Sequence, residues 1–282
     1  MKSVLIIPAY NEGATLGSLV SAALELPAGC IDSIVVVDDG SAIDCRTVLP
    51  EDERVKVVRH AHNEGKARAL IDGMQLALKQ NPDCVVTMDG DGQHRIQDIP
   101  RLLAVAQATP RTIVVGARLA ERESIPRARY RANRFANFWI AWASGHPVTD
   151  SQSGFRAYPS DLLRSVLPRL VRRYPAVENS RRKGFVFESE LLIESGRLRH
   201  YTTPVRVPAI YETSRSSHFR PVADITQIVI MVAGHLLRRG LHPWGLWQSL
   251  RPRDGREFLV GAHVTPEHDA SSAAERAARL EP

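Results

Sequence analysis

Five short apolar, β-branched runs recur in the first 118 residues: "SVLII", "SIVVVDD", "VKVVRH", "CVVTMDGD" and "TIVVGAR". Each is too continuous for a strand with one wet face and suits a strand buried on both. Helix-like periodic segments at 12–26, 65–79 and 96–108 separate them. Doubly covered strands joined through helices predict a mostly parallel α/β sheet with crossover connections. In such sheets ligands gather at the carboxyl ends of the strands. The apolar runs here stop at "PAYNE", "DDGS", "DGDGQH" and "GAR". Turn-making alone does not require polar groups at four strand ends.

The pattern changes in the second half. "YRANRFANFWIAWASG" predicts an amphipathic aromatic helix, and its stripe Phe135, Phe138, Trp139 and Trp142 suits core packing or a lipid groove. "TDSQSGFRAYPSD" reads as a loop. "GFVFESELLIESG" reads as a helix, with Glu188 and Glu190 on an exposed face outside any site. "HYTTPVRVPAIY" reads as an extended, proline-interrupted segment at a sheet edge. In "VADITQIVIMVAGHLLRR", Ile225, Val229, Val232 and Leu236 share one helical face, and Asp224, Gln227, His235 and Arg238 the other. The expected organisation is a catalytic domain at 1–215, amphipathic helices at 216–250 and a polar, flexible tail at 251–282.

Composition adds a direction. Hydrophobic residues are 44% and charged residues 24%, as in ordinary globular proteins, and the net charge is +6. Residues 197–256 hold ten Arg and no Lys against Glu212, Asp224 and Asp254. Such a stretch favours anionic partners. No nucleic-acid motif accompanies it. With Trp244 and Trp247 following Arg238 and Arg239, the terminal helix reads either as lying on an anionic membrane or as packed on the domain. The opening apolar run ends at Pro8, short of a signal core, and "IVIMVAG" is too short to span a bilayer. Cys30, Cys45 and Cys84 form neither a CxxC nor a His/Cys cluster, as expected of a reduced, cytoplasmic protein.

Asp89 and Asp91 carry the sharpest chemical question. Two carboxylates one residue apart at a strand end suit a shared divalent cation or a plain Gly-rich turn. An EF-hand loop is excluded, because His94 stands at its sixth position and Pro100 at its twelfth. "NEGKARA" lacks the first glycine and the hydroxyl of a P-loop; neither GxGxxG nor GxSxG fits. His94 reads as structural or as a neighbour of the metal, since a hard cation prefers oxygen.

The ordered set "IPAYNE", "VVDDGS", "NEGKARA", "MDGDGQH", "GAR", "NRFAN" and "DSQSGFR" closely resembles the family-2 glycosyltransferases, of GT-A fold. Within them it is most similar to the dolichyl- and polyprenyl-phosphate sugar synthases. The resemblance covers about residues 1–220. It implies that Pro8, Tyr10 and Glu12 lie against the base and ribose of a nucleotide-diphosphate sugar, with Asp39 on the base and Lys66 nearby. Asp89 and Asp91 would hold Mg²⁺ or Mn²⁺ on the diphosphate, with Gln93 alongside. Asp91, Asp150 and Arg118 form the implied catalytic set. Arg134, Arg156 and Arg220 form the implied acceptor-phosphate set. Ala67 and Ala117 depart from the family's usual Gly and Ser.

That resemblance implies inverting, metal-dependent sugar transfer to a membrane-associated acceptor, foremost a polyprenyl phosphate, on the inner face of the cell membrane. A phosphate acceptor is already ionised, so Asp150 would only orient or assist; a lipid or pigment hydroxyl would make Asp150 the general base. A nucleotide-sugar-binding protein without turnover is the third reading.

Overall fold

The computed structural model describes residues 1–118, 127–175, 184–208, 221–240 and 243–250. Arg220, the 251–282 tail and the side chains of Asp224, Ile225 and Trp244 lie outside the described residues, and so do the expectations placed on them.

The five expected runs form β1 (Ser3–Ala9), β2 (Ser33–Asp38), β3 (Val55–Arg59), β4 (Cys84–Thr87) and β5 (Thr112–Ala117). The intervening segments form α1 (Ala14–Leu24), α2 (Lys66–Leu78) and α3 (Ile99–Ala108). α4 (Arg127–Ser144) is the aromatic helix. The stretch read as a loop contains β6 (Arg156–Pro159) and leads into α5 (Ser160–Arg173), which tolerates Pro168 inside. β6 is too short to show alternation; strands on both sides supply its pairing. α6 (Gly184–Arg197) and β7 (Tyr201–Arg206) follow, then α7 (Pro221–Arg239) and α8 (Pro243–Leu250).

Among the described residues seven strands form one sheet in the order β3-β2-β1-β4-β6-β5-β7. β6 runs antiparallel to β4 and β5; the other pairs are parallel. β7 lies at one edge of the sheet, a position that accommodates Pro204. Side-chain alternation sorts the core. Val4, Ile6, Val35 and Val37 pack on one face with α2, α5 and α6, while Leu5, Ile7, Ile34 and Val36 pack on the other with α1 and α3. Each such buried side chain contributes about 1.5–3 kcal/mol. Gly73 of α2 permits this closeness, since a Cβ there would stand 2.6 Å from the Ile6 methyl.

Met1–Arg251 form one compact unit, and α4 packs against α6, α7 and α8. α7 turns most of its expected apolar face, Val232 and Leu236 included, to that unit. Ile228, Val232, His235 and Leu236 are buried, while Ile230 and Leu237 are 66% and 83% exposed. His235, expected on the polar face, lies inside because its Nε2 is 3.0 Å from Glu190 Oε1. Tyr174 donates its hydroxyl to Glu190 Oε2 at 2.7 Å, and Arg173 pairs with both Glu190 and Glu194. Glu190 is therefore a buried fastener of α5, α6 and α7 beside a cavity of about 240 Å³, and not part of an exposed face.

Candidate active site

The carboxyl ends of the parallel strands and the start of antiparallel β6 share one edge, which collects the polar motifs. After β1 come exposed Tyr10 and half-buried Glu12; Pro8 is buried within the strand. A Cβ on Gly90 would stand 3.2 Å from the Pro8 carbonyl and 3.4 Å from Glu12 Cγ, so the first and fourth strand ends touch. Beside β1 and β2, Asn11, Glu12, Ser41 and Asp44 help line a cavity of about 200 Å³.

Asp39 does not project into that space. It is 3% exposed, and its oxygens accept from Glu64 N and Gly65 N, each at 2.8 Å, just before α2. The His60 Nδ1 lies 2.8 Å from the same carboxylate, and Nε2 lies 3.2 Å from Asp72. These two carboxylates hold His60 up at about 9. The residue expected to touch the base thus shapes the turn that starts α2. Its neighbour Asp38, fully buried, accepts from Ser41 N and Arg59.

Lys66, the first residue of α2, reaches Asp89 Oδ1 at 2.7 Å and Glu188 Oε2 at 3.1 Å. Burial opposes the Lys66 charge, but Asp89 and Glu188 outweigh it and raise its pKa above the ordinary value. Burial likewise opposes the Asp89 charge, and Lys66 reverses that effect to lower its pKa. Asp91 is pushed up, first by burial and then by the Asp89 charge; Gln93 N donates to its Oδ1 at 3.0 Å. His94 is 2% exposed, with its ring 5.1 Å from that of Phe155, and burial pushes it down to about 4. Burial thus disfavours a charge on the His94 ring.

Arg118 follows β5. Its backbone N and Nε lie 3.2 and 3.4 Å from Asp150 Oδ2, and Nη2 donates to the Gln152 carbonyl at 3.0 Å. Asp150 is fully buried, so it meets the site through Arg118. Asn137 of α4 grips the Asp150 loop, donating to Thr149 O at 2.5 Å and accepting from Ser151 N at 2.9 Å. Arg134, one turn earlier on that side of α4, is exposed and lies over the Tyr130 ring at 5.9 Å.

Arg156 corrects an expectation. It is fully buried and donates to Ser151 O, Glu188 O and the Tyr158 hydroxyl at 2.7, 3.0 and 3.3 Å. Those bonds brace the loop and α6 and leave none of the side chain open to solvent. Glu188 corrects another: it is 3% exposed, not on an open face, and pairs with Lys66. The apolar residues on both sides of it, Val186, Phe187, Leu191, Leu192 and Ile193, were the available signal. Nothing local marks His60, whereas Asn137 closes the quoted "NRFAN" stretch.

The pair fits a hard divalent cation. Asp89 and Asp91 offer oxygen donors, and Asp89 already draws the Lys66 ammonium to 2.7 Å. Gly154 sits against the pair, where a Cβ would stand 2.6 Å from both Asp89 oxygens.

A doubly covered sheet with paired carboxylates, a lysine and an arginine at its strand-end edge has the architecture of a nucleotide-sugar transferase. Solved structures share it. Glucosyl-3-phosphoglycerate synthase from Mycobacterium tuberculosis, bound to Mn²⁺, UDP-glucose and phosphoglyceric acid, superposes with a TM-score of 0.56 at 19% identity, over 83% of this chain and 79% of its own. Mannosyl-3-phosphoglycerate synthase from Rubrobacter xylanophilus gives 0.57 at 17%, over 89% and 77%. The fold is GT-A.

The sequence profile named Glycosyl transferase family 2 matches residues 4–167, and the chain is a member of that family. A UDP-N-acetylglucosamine–dolichyl-phosphate N-acetylglucosaminyltransferase of Methanococcus voltae is 31% identical, over 60% of this chain and 74% of its own. An undecaprenyl-phosphate mannosyltransferase of Micrococcus luteus is 27% identical over 274 residues, 90% of this chain and 100% of its own.

Proposed function

We propose that this family-2 glycosyltransferase moves a sugar, with inversion, from a nucleoside-diphosphate sugar to the phosphate of a membrane polyprenyl lipid. The carrying observation is the extent of the likeness to the Micrococcus luteus undecaprenyl-phosphate mannosyltransferase, which runs through the C-terminal helices as well as the sheet. The burial of Asp150 with Arg118 supports the same acceptor. A hydroxyl acceptor needs an accessible base, whereas a phosphate monoester arrives ionised.

In this reading the base and ribose lie along the ends of β1 and β2, near Tyr10 and Glu12. Asp89 and Asp91 would hold Mg²⁺ or Mn²⁺, with Gln93 beside them. That ion, when bound, supplies Lewis-acid stabilisation of the leaving diphosphate. Arg118, held by Asp150, faces the phosphates, and Arg134 meets the acceptor's charge. An acceptor phosphate oxygen attacks the anomeric carbon as the bond to the diphosphate breaks, and the nucleoside diphosphate departs. Asp150 positions Arg118 and takes no proton.

No helix among the described residues is long and apolar enough to cross a membrane. The domain meets its acceptor peripherally, on the inner face of the cell membrane. Ile230 and Leu237 of α7 with Trp247 and Leu250 of α8 are exposed apolar groups beside exposed Arg238, suited to a lipid interface. Incubating the protein with radiolabelled nucleotide sugars and undecaprenyl phosphate should yield a labelled lipid-phosphate sugar that dilute acid hydrolyses. Label transferred only to hydroxyl-bearing lipids would overturn the phosphate acceptor.

A further inference from the structure

One ammonium serves two carboxylates at the metal pair. Lys66 Nζ stands 2.7 Å from Asp89 Oδ1 and 3.1 Å from Glu188 Oε2. Glu188 comes from α6, 122 residues further along the chain, and is 3% exposed. It is too deep to meet a nucleotide itself. Lys66 and Asp89 are each 27% exposed at the side chain, so their pair faces the opening. Lys66 sits at the first position of α2 on a flexible four-carbon stem, where the helix dipole already disfavours a cation. Two acids on different elements hold it there against that field.

We infer that Lys66 is a placeholder cation on Asp89 in the free protein, and that Glu188 is the positioning residue that receives it when a divalent ion arrives. The inference rests on the reading of Asp89 and Asp91 as the metal pair. A dication on Asp89 repels the ammonium lying on the same oxygen, and the repulsion grows with the doubled charge. Lys66 must then leave Asp89. Glu188 lets it do so by a small rotation of its stem, without carrying the charge into apolar surroundings. From Glu188 the lysine remains at the rim of the site, ready for a nucleotide phosphate.

A consequence separates this role from an ordinary structural ion pair. Glu188 influences metal binding through Lys66, so its effect must vanish when Lys66 is absent. The test is Mn²⁺ titration by electron paramagnetic resonance on full-length protein without nucleotide, with thermal melts to confirm folding. Lys66→Met should bind Mn²⁺ about fivefold more tightly than wild type, and Glu188→Gln about fivefold more weakly. The double variant decides. Simple addition of the two charge changes returns it to wild-type affinity; the placeholder keeps it at the Lys66→Met level. Should Glu188→Gln fail to fold, Glu188→Asp takes its place, with a smaller loss of Mn²⁺ affinity that Lys66→Met again abolishes.

A double variant at wild-type affinity, or a Lys66→Met protein that binds Mn²⁺ no better than wild type, overturns the placeholder and leaves the metal pair standing. If wild type takes up no Mn²⁺ with or without UDP, the metal reading falls and the placeholder falls with it.

Discussion

The β1–β4 half of the sheet and the α6–α7 layer handle polar groups in opposite ways. In the sheet half, β1, β2 and β4 keep apolar interiors and the acids wait at the ends, where Asp89 and Asp91 meet the opening. In the helical layer, Glu188, Glu190, Glu194 and His235 lie inside, matched by Lys66, Arg173 and Tyr174. A strand's ladder keeps polar side chains out of its buried length but leaves them free where pairing stops. A helix satisfies its own backbone and can carry a buried acid anywhere along its length if a cation from a neighbouring element reaches it. Charges in the first region therefore serve chemistry first, and those in the α6–α7 fastener serve stability first.

The largest effect that tests this contrast is on turnover. Asp89→Asn and Asp91→Asn should each lower transfer roughly a hundredfold to a thousandfold, with thermal unfolding little changed. Excess EDTA should do the same to the wild type. Full turnover in EDTA would break the contrast at its functional end.

Glu190→Ala should invert the pattern. It strips Arg173, Tyr174 and His235 of a shared acceptor and should cost about 3–5 kcal/mol of stability. Nucleotide binding, measured by calorimetry below the melting range, should stay near wild type. A large loss of nucleotide affinity in a folded variant would make this cluster part of the site.

Inside the sheet half, Asp38 with Arg59 is one structural charge, and His60, behind Asp39, is another. Its folded pKa of about 9 exceeds the ordinary value of 6.5. The stability it contributes is therefore full below about pH 6.5 and is lost as pH rises through about 9. The contribution is on the order of 2 kcal/mol. Urea melts from pH 6 to 9.5 should show the decline, and His60→Gln should flatten it. An unchanged slope in that variant would assign the decline elsewhere.

The smallest expected effect sharpens the outer face of α7. Ile230→Asp and Leu237→Asp should each weaken co-sedimentation with anionic vesicles about tenfold, leaving melting and nucleotide binding intact. Val232→Asp, on the face first expected to meet lipid, should instead unfold the protein, because Val232 is fully buried. Vesicle binding untouched by the first two changes would remove α7 from the membrane contact.

Much of the sheet is legible in the sequence. Runs such as "SIVVVDD" announce doubly buried strands through local pattern alone, and the acids of "DGDG" are placed by the end of their own strand. β6 was not legible, because four residues without alternation become a strand only when β4 and β5 flank them. Arg134, Arg156 and Glu188 show the same limit in the site. Motif order flagged both arginines, yet exposure separates them: Arg134 is open to solvent and Arg156 is sealed under the loop.

The sequence by itself determined the parallel α/β architecture, the edge where chemistry gathers and the paired carboxylates, since each depends on neighbours a few residues away. Only the tertiary structure decided that Lys66 bridges to Glu188, that Asp39 and Asp150 turn inward, and that α7 buries Val232 and His235 while exposing Ile230 and Leu237. Those outcomes depend on charge partners brought together from distant elements. A buried charge is tolerable only where its counter-charge arrives, and local periodicity carries no record of that partner.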